Sequence, residues 1–245
     1  MKRIVIIGAT SGIGKEVALA YIKQGWKTGI AGRRETALTE LQSISPERVE
    51  TETIDITRED APVKINNLIE KTGGMDILLL CSGIGSQNPM LNLDIELNTA
   101  KTNVEGFIRV ITTAFGYFRQ KGRGHIAVIS SIAGTKGLGI AAAYSATKRF
   151  QNTYIEALSQ LSRMEKLNIS FTDIRPGFVA TDLLKGEKYP MLMNPRKVAE
   201  HIVHALDRKK RIVIIDRRYR LLVFFWKLIP RRIWERFCLL YTSDA

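Results

Sequence analysis

The stretch AAAYSATKRF sets Tyr144 and Lys148 four residues apart in a run of helix-forming residues. Side chains at that spacing share one helix face, with Cβ atoms roughly 5–6 Å apart, so a phenol and an ammonium can be aimed at one point. The chemistry available to them is proton transfer. A free phenol titrates near about 10, and a nearby cation favours its ionised form. Ser131, in VISSIAG and thirteen residues before Tyr144, adds a hydroxyl. A Tyr and a Lys so spaced also fit an ordinary solvated helix face, so the elements that position them must decide.

Those elements alternate. RIVIIG, KTGIAG, VETETIDI, DILLLCSG, GHIAVISS, NISFTDIRPG and RIVIID read as seven strands, with helical patterns near 13–25, 35–43, 58–72, 96–120, 143–165 and 195–207 between them. This β-α-β order predicts an α/β fold, a doubly wound parallel sheet with helices on both faces. Strands apolar on both sides agree with burial on both faces. Ligands of such sheets bind outside the carboxyl ends of the strands.

The first strand exits into GATSGIG, where Gly8, Gly12 and Gly14 precede a helix. Glycines there let the backbone approach a pyrophosphate, which free N–H groups and the helix dipole stabilise; Thr10 and Ser11 add hydroxyls. The second strand ends AGRRE. An NAD-preferring site usually carries an acid here, but Gly32 is followed by Arg33 and Arg34, which favour the 2′-phosphate of NADP. The competing reading is that both arginines only solvate a helix start. Asp55, in TIDIT, could accept from an adenine amino group or cap the following helix.

With Asn103 in KTNVEG, Ser131 after the fifth strand, Y-x-x-x-K and RPGFVATD after the sixth, the chain resembles the classical short-chain dehydrogenase/reductase family over about residues 1–215. The resemblance implies a Rossmann fold and hydride transfer between a nicotinamide and a small-molecule carbonyl or secondary alcohol. It implies that Tyr144 exchanges the proton and Ser131 bonds the substrate oxygen. It further implies that Lys148 holds the nicotinamide ribose and lowers the phenol pKa, that Asn103 holds a relay water, and that Val179 and Thr181 meet the carboxamide. Ile13, Ile56, Gly83, Pro176 and Gly177 complete the candidate cofactor set, while Ser130 reads as structural. Homo-oligomers, dimers or tetramers, are common in the family. LCSGIG, with Cys81, Ser82 and Gly83, stands where many family members carry N-N-A-G, so the asparagine that ties neighbouring strands is absent, which puts local stability more than catalysis in doubt. The alternative to an enzyme is a non-catalytic NADP-binding sensor or scaffold, but such proteins usually lose the Tyr or the Lys.

Length fits one catalytic domain, residues 1–216, followed by a basic and apolar tail, 217–245. Cys81 and Cys238 form no framework or C-x-x-C motif, and MKRIVIIGAT lacks the long apolar region of a signal peptide, so a cytoplasmic setting is expected. Residues 207–236 carry eleven Lys or Arg against three Asp or Glu, +8 of the chain's formal +13. With the excess confined there and no recognition motif, no nucleic-acid partner is expected. The tail's YRLLVFFWKLIPRRIWERF is too charged to span a bilayer. It reads as a cover for the substrate pocket or a subunit interface, with peripheral membrane contact through a helix broken at Pro230 as the alternative. CLLYTSDA reads as frayed. His125, His201 and His204 lack acidic or cysteine companions, so no metal is expected. FIRVITTAF reads as core packing with a possible oligomer face. Leu183, Leu184, Met191, Leu192 and Met193 suggest an open apolar substrate pocket.

Overall fold

Successive side chains of a strand point to opposite faces, and the first strand has an apolar residue at each of its inner positions. The computed structural model describes residues 1–184 and 189–237. In it β1 (Arg3–Ile7) sends Ile4 and Ile6 into one core and Val5 and Ile7 into the other. It lies between β2 (Lys27–Gly32) and β4 (Ile77–Leu80). With β3 (Val49–Thr53), β5 (Arg123–Ile129), β6 (Asn168–Arg175) and β7 (Ile212–Ile214) they form one parallel sheet, ordered 3-2-1-4-5-6-7. All seven expected strands are present. The strand order switches direction between β1 and β4, which opens a crevice at their carboxyl ends.

One core is covered by α1 (Gly12–Lys23), α2 (Glu35–Ser43) and α7 (Pro195–Asp207). The other lies under α3 (Ala61–Lys71), α5 (Phe107–Lys121) and α6 (Ala142–Met164). Phe107, Val110, Ile111, Ala114 and Phe115 of FIRVITTAF are all buried in that second core, which is the packing role expected of them.

The single helix expected over 96–120 is three segments. Asn92 caps α4 (Leu93–Ala100), its Oδ1 accepting from Asp94 N at 3.0 Å; a π-helical turn (Lys101–Gly106) follows, and then α5. A π-turn carries one extra residue and appears most often at functional sites. Asn103 sits in it.

Beyond β7 come α8 (Arg217–Leu228) and α9 (Arg231–Phe237), separated at Pro230 as anticipated. Tyr219 and Val223 of α8 belong to the first core. Cys238 and the rest of the final segment lie outside the described residues.

Candidate active site

β5 ends at Ile129, and the two serines after it diverge. Ser130 is built into the fold: its hydroxyl donates to Asp173, Asn152 Nδ2 donates to it at 2.9 Å, and Asp173 also accepts from Arg175 Nη2 at 2.6 Å. Ser131 is extended and begins a 3-10 turn (Ile132–Thr135), its Oγ accepting from Ala133 N at 3.1 Å. The first turn of α6 brings the Tyr144 phenol up beside its hydroxyl.

Burial pushes the Tyr144 phenol up, and the Ser131 contact opposes this. Desolvation prevails, and the depression expected from Lys148 is not seen. Lys148 itself is pushed down to about 8 by burial, against the pull of Asp173 and Cys81. Its Nζ lies 5.7 Å from the Tyr144 ring centre and donates to Ile129 O and to Gln151 Oε1, each at 3.1 Å.

Gln151 was not evident in the sequence. Its Nε2 donates at 3.0 Å to the Asn103 carbonyl, so one amide spans the ammonium and the π-turn. The Asn103 side chain meanwhile clamps the β4 exit: Oδ1 accepts from Ile84 N at 2.9 Å, and Nδ2 donates to Ile84 O at 2.7 Å and to Thr147 Oγ1 at 3.1 Å. Gln151 is thus a side-chain partner of the Asn103 carbonyl beyond the roles the family resemblance implies. The signal was a polar residue on the stripe Tyr144, Lys148, Gln151, Ile155 of α6, of which Tyr144 is half-buried and the other three are buried.

The β4 exit completes this wall. Gly83 lies where a Cβ would come within 3.3 Å of Asn103 Oδ1 and 3.4 Å of Lys148 Nζ, and at Gly85, also unforeseen, a Cβ would press within 2.5 Å of the Tyr144 ring. Cys81 N and Ser82 N both donate to Ile7 O, at 2.8 and 3.0 Å, so backbone bonds tie this stretch to β1 without the family's asparagine.

Across the crevice is the glycine loop. Gly8 and Gly12 have φ of +95° and +53°, and a Cβ on Gly14 would lie 2.0 Å from Gly8 O. Side chains would fill this cradle, so the loop fits close approach by a dinucleotide phosphate. Ser11 is the N-cap of α1 and its hydroxyl makes no capping bond; Ile13 packs on the first core. Arg34 Nη2 donates to Thr10 O at 3.1 Å and to Thr10 Oγ1 at 3.3 Å, while Arg33 is exposed beside Asp55. Burial raises the Asp55 carboxyl, but the Thr57 N–H and hydroxyl with the Arg33 and Arg58 charges prevail, holding it below its usual range. Asp55 Oδ1 takes both Thr57 bonds, at 2.9 and 2.7 Å, so it closes a local turn; α3 starts later, at Ala61, and the helix-capping alternative is set aside. Ile56 is a core residue packed on Gly106.

After β6, Pro176 O accepts from Ile132 N at 3.1 Å and Val179 pairs with Met193. A Cβ on Gly12 would meet Thr181 Cγ2 at 3.0 Å, so this segment reaches the glycine loop. Gly177, expected beside the cofactor, is also constrained by the tail. A Cβ there would lie 2.2 Å from the Tyr219 ring. Of the pocket candidates, Met193 is 7% exposed and belongs to the core, whereas Leu183 and Leu192 are exposed; residues 185–188 of that loop lie outside the described residues.

The inner face of the tail fastens both loops that flank Ser131 and Tyr144. Tyr219 Oη accepts from Phe178 N at 3.1 Å and donates to Pro190 O at 3.1 Å. Lys136 Nζ donates to Ile229 O at 2.8 Å, and Trp234 Nε1 to Gly137 O at 2.7 Å. The histidines are scattered: His125 is buried in the sheet against Thr172 Oγ1, and His201 and His204 lie on α7.

A parallel sheet with this strand order and a glycine-lined first turn is a Rossmann fold. Residues 2–190 match the family model described as short chain dehydrogenase, and the chain belongs to that family of oxidoreductases. An uncharacterized oxidoreductase of Myxococcus xanthus is 32% identical over 196 residues, 76% of each chain. An uncharacterized oxidoreductase of Mycobacterium tuberculosis is 28% identical over 247 residues, covering 96% of this chain and 97% of its own. Among solved structures, the 3-ketoacyl-(acyl-carrier-protein) reductase of Brucella melitensis, complexed with NADH, superposes with a TM-score of 0.78 at 23% identity, over 88% of this chain and 96% of that one. The actinorhodin polyketide ketoreductase with NADPH gives 0.76 at 22% identity, over 87% and 95%. At these identities the two structures testify to the fold alone.

Proposed function

We propose that this chain is an NADP-dependent oxidoreductase interconverting a small-molecule carbonyl and its secondary alcohol, with Tyr144 exchanging the proton. The observation that carries this reading is the convergence of the Ser131 hydroxyl and the Tyr144 phenol, with Lys148 Nζ 5.7 Å from the phenol ring centre, at the carboxyl edge of the sheet. Bound nicotinamide supplies or accepts the hydride. In reduction Ser131 orients the carbonyl oxygen and Tyr144 gives it a proton as charge develops there. Lys148, protonated, offsets the phenolate left behind. Gln151 fixes the ammonium by accepting one of its hydrogens, and the Asn103 clamp holds the β4 exit against the same group.

The cofactor reading rests on Gly8, Gly12 and Gly14 for the pyrophosphate and on Arg33 and Arg34 for the 2′-phosphate. Thr10, Ser11, Ile13, Asp55, Ile56, Gly83, Pro176, Gly177, Val179 and Thr181 are assigned to the same cofactor site. The NADH and NADPH held by the two structural neighbours support a nicotinamide without deciding between the two forms. The test is a panel of aldehydes, ketones and alcohols assayed by nicotinamide absorbance with each cofactor. Turnover that disappears in Tyr144→Phe supports the assignment, and cofactor binding without turnover of any panel member would favour the sensor reading.

A further inference from the structure

The tail helix α8 is apolar on two opposite sides. Tyr219, Leu222, Val223 and Trp226 form the inner stripe, fixed to the first core. Leu221, Phe224, Phe225 and Leu228 repeat the same i, i+3, i+4, i+7 spacing two residues on, which turns them roughly 180° away at about 100° per residue. They are 59%, 57%, 54% and 63% exposed, and Ile233 of α9 is 46% exposed. The cations around the stripe lack acids. Asp216 is paired with Arg218 and Glu235 with Arg231, whereas Arg217, Arg220, Lys227, Arg232 and Arg236 are exposed and make no ion pair among the described residues.

We infer that the outer face of α8, continued by α9, docks on an anionic lipid surface. An apolar stripe edged by Lys and Arg is the pattern of a helix lying in the membrane interface, where aromatic and Leu side chains enter the acyl boundary and cations meet lipid phosphates. No described helix is long and apolar enough to cross a bilayer, so the contact lies along the surface. Charge argues against a second copy on this face. A two-fold interface would set this cation-rich face against the same face of the partner, with no unpaired acid on it among the described residues to offset the charge. A lipid surface supplies the missing negative charge instead. The inner face is already bound to the loops beside Ser131 and Tyr144, so docking costs no rearrangement of them. This inference stands independently of the cofactor and substrate assignments.

Co-sedimentation of the full chain with phosphatidylcholine vesicles, with and without phosphatidylglycerol, tests it. Binding is expected only to the anionic vesicles and is expected to weaken with salt. Phe224→Glu with Phe225→Glu should reduce partitioning roughly tenfold or more while leaving the melting temperature unchanged, because both rings point to solvent. Arg220→Glu with Lys227→Glu, which touches no apolar residue, should also reduce it roughly tenfold or more. Absence of binding to anionic vesicles, or equal binding to neutral ones, overturns the proposal. So does light scattering in which the wild-type chain is an oligomer that Phe224→Glu with Phe225→Glu dissociates, since the face would then belong to a second copy.

Discussion

Lys148 Nζ donates to Gln151 Oε1 at 3.1 Å, and the other end of the same amide holds the Asn103 carbonyl. An amide can fix an ammonium but passes protons poorly, so Gln151 positions Lys148 and does not stand in for a relay water. Burial, with only neutral partners in direct contact, pushes Lys148 down to about 8. Its protonated form is the one that offsets a phenolate. Reductive kcat/KM should therefore be level below that pH and fall above it. A carboxylate in place of the amide would raise the lysine pKa, so Gln151→Glu should carry the falling limb to higher pH by about one unit or more. A limb that stayed in place in that variant would sever Lys148 from the profile.

Removing the phenolic oxygen leaves the Tyr144 ring and its packing on Gly85. Tyr144→Phe is expected to lower kcat by about a hundredfold or more with nearly unchanged NADPH affinity, since proton transfer alone is lost. Lys148→Ala should reduce both rate and cofactor affinity, because the ammonium is assigned to both. Fluorescence titration beside steady-state kinetics separates the two effects; full activity in Tyr144→Phe would remove the phenol from the mechanism.

The sheet was legible because β1, β4 and β5 are apolar on both faces and each is followed by turn residues. The π-turn was not, because nothing in KTNVEG breaks a helix before Gly106; its geometry accompanies bonds from Asn103 to Ile84 and from Gln151 to Asn103, both distant in sequence. Tyr144, Lys148 and Ser131 could be found from spacing, but Gln151 needed a partner that spacing does not supply. Met193 was misplaced for a related reason: an apolar side chain in a loop suits a pocket and a core equally, and only its pairing with Val179 assigns it to the core.

Gly177 and Tyr219 give a test of how the tail is held. A methyl group at 177 must displace the Tyr219 ring, and overpacking of this kind costs about 1–3 kcal/mol. Tyr219→Ala removes a fully buried ring and its hydrogen bonds, a loss of about 3–5 kcal/mol. The two changes should not add. With the ring gone, the methyl has room, so Gly177→Ala should cost little in the Tyr219→Ala background. Denaturant melts of the four proteins measure the cycle; strict additivity would mean that Gly177 is constrained by something other than the ring.

Cofactor preference turns on the end of β2. The 2′-phosphate of NADP is nearly doubly negative at neutral pH, and a guanidinium within reach gains a charge-assisted contact that NAD does not offer. Arg34 is already bonded to Thr10 on the glycine loop, which leaves Arg33, exposed beside Asp55, as the freer of the two. Its charge helps to hold Asp55 ionised, so a phosphate binding there must compete with that carboxylate. A charged hydrogen bond contributes roughly 1.5–3 kcal/mol, and solvent exposure puts Arg33 toward the lower figure, a preference for NADP of about tenfold or somewhat more. Arg33→Asp removes the attraction, sets a second carboxylate near Asp55 to repel the phosphate, and offers the ribose hydroxyls an acceptor. The preference should then move to NAD. Salt should weaken NADPH binding more than NADH binding in the wild-type protein, because this ion pair is screened. Dissociation constants for both cofactors at low and high salt measure the effect, and equal values at low salt would refute the role given to Arg33.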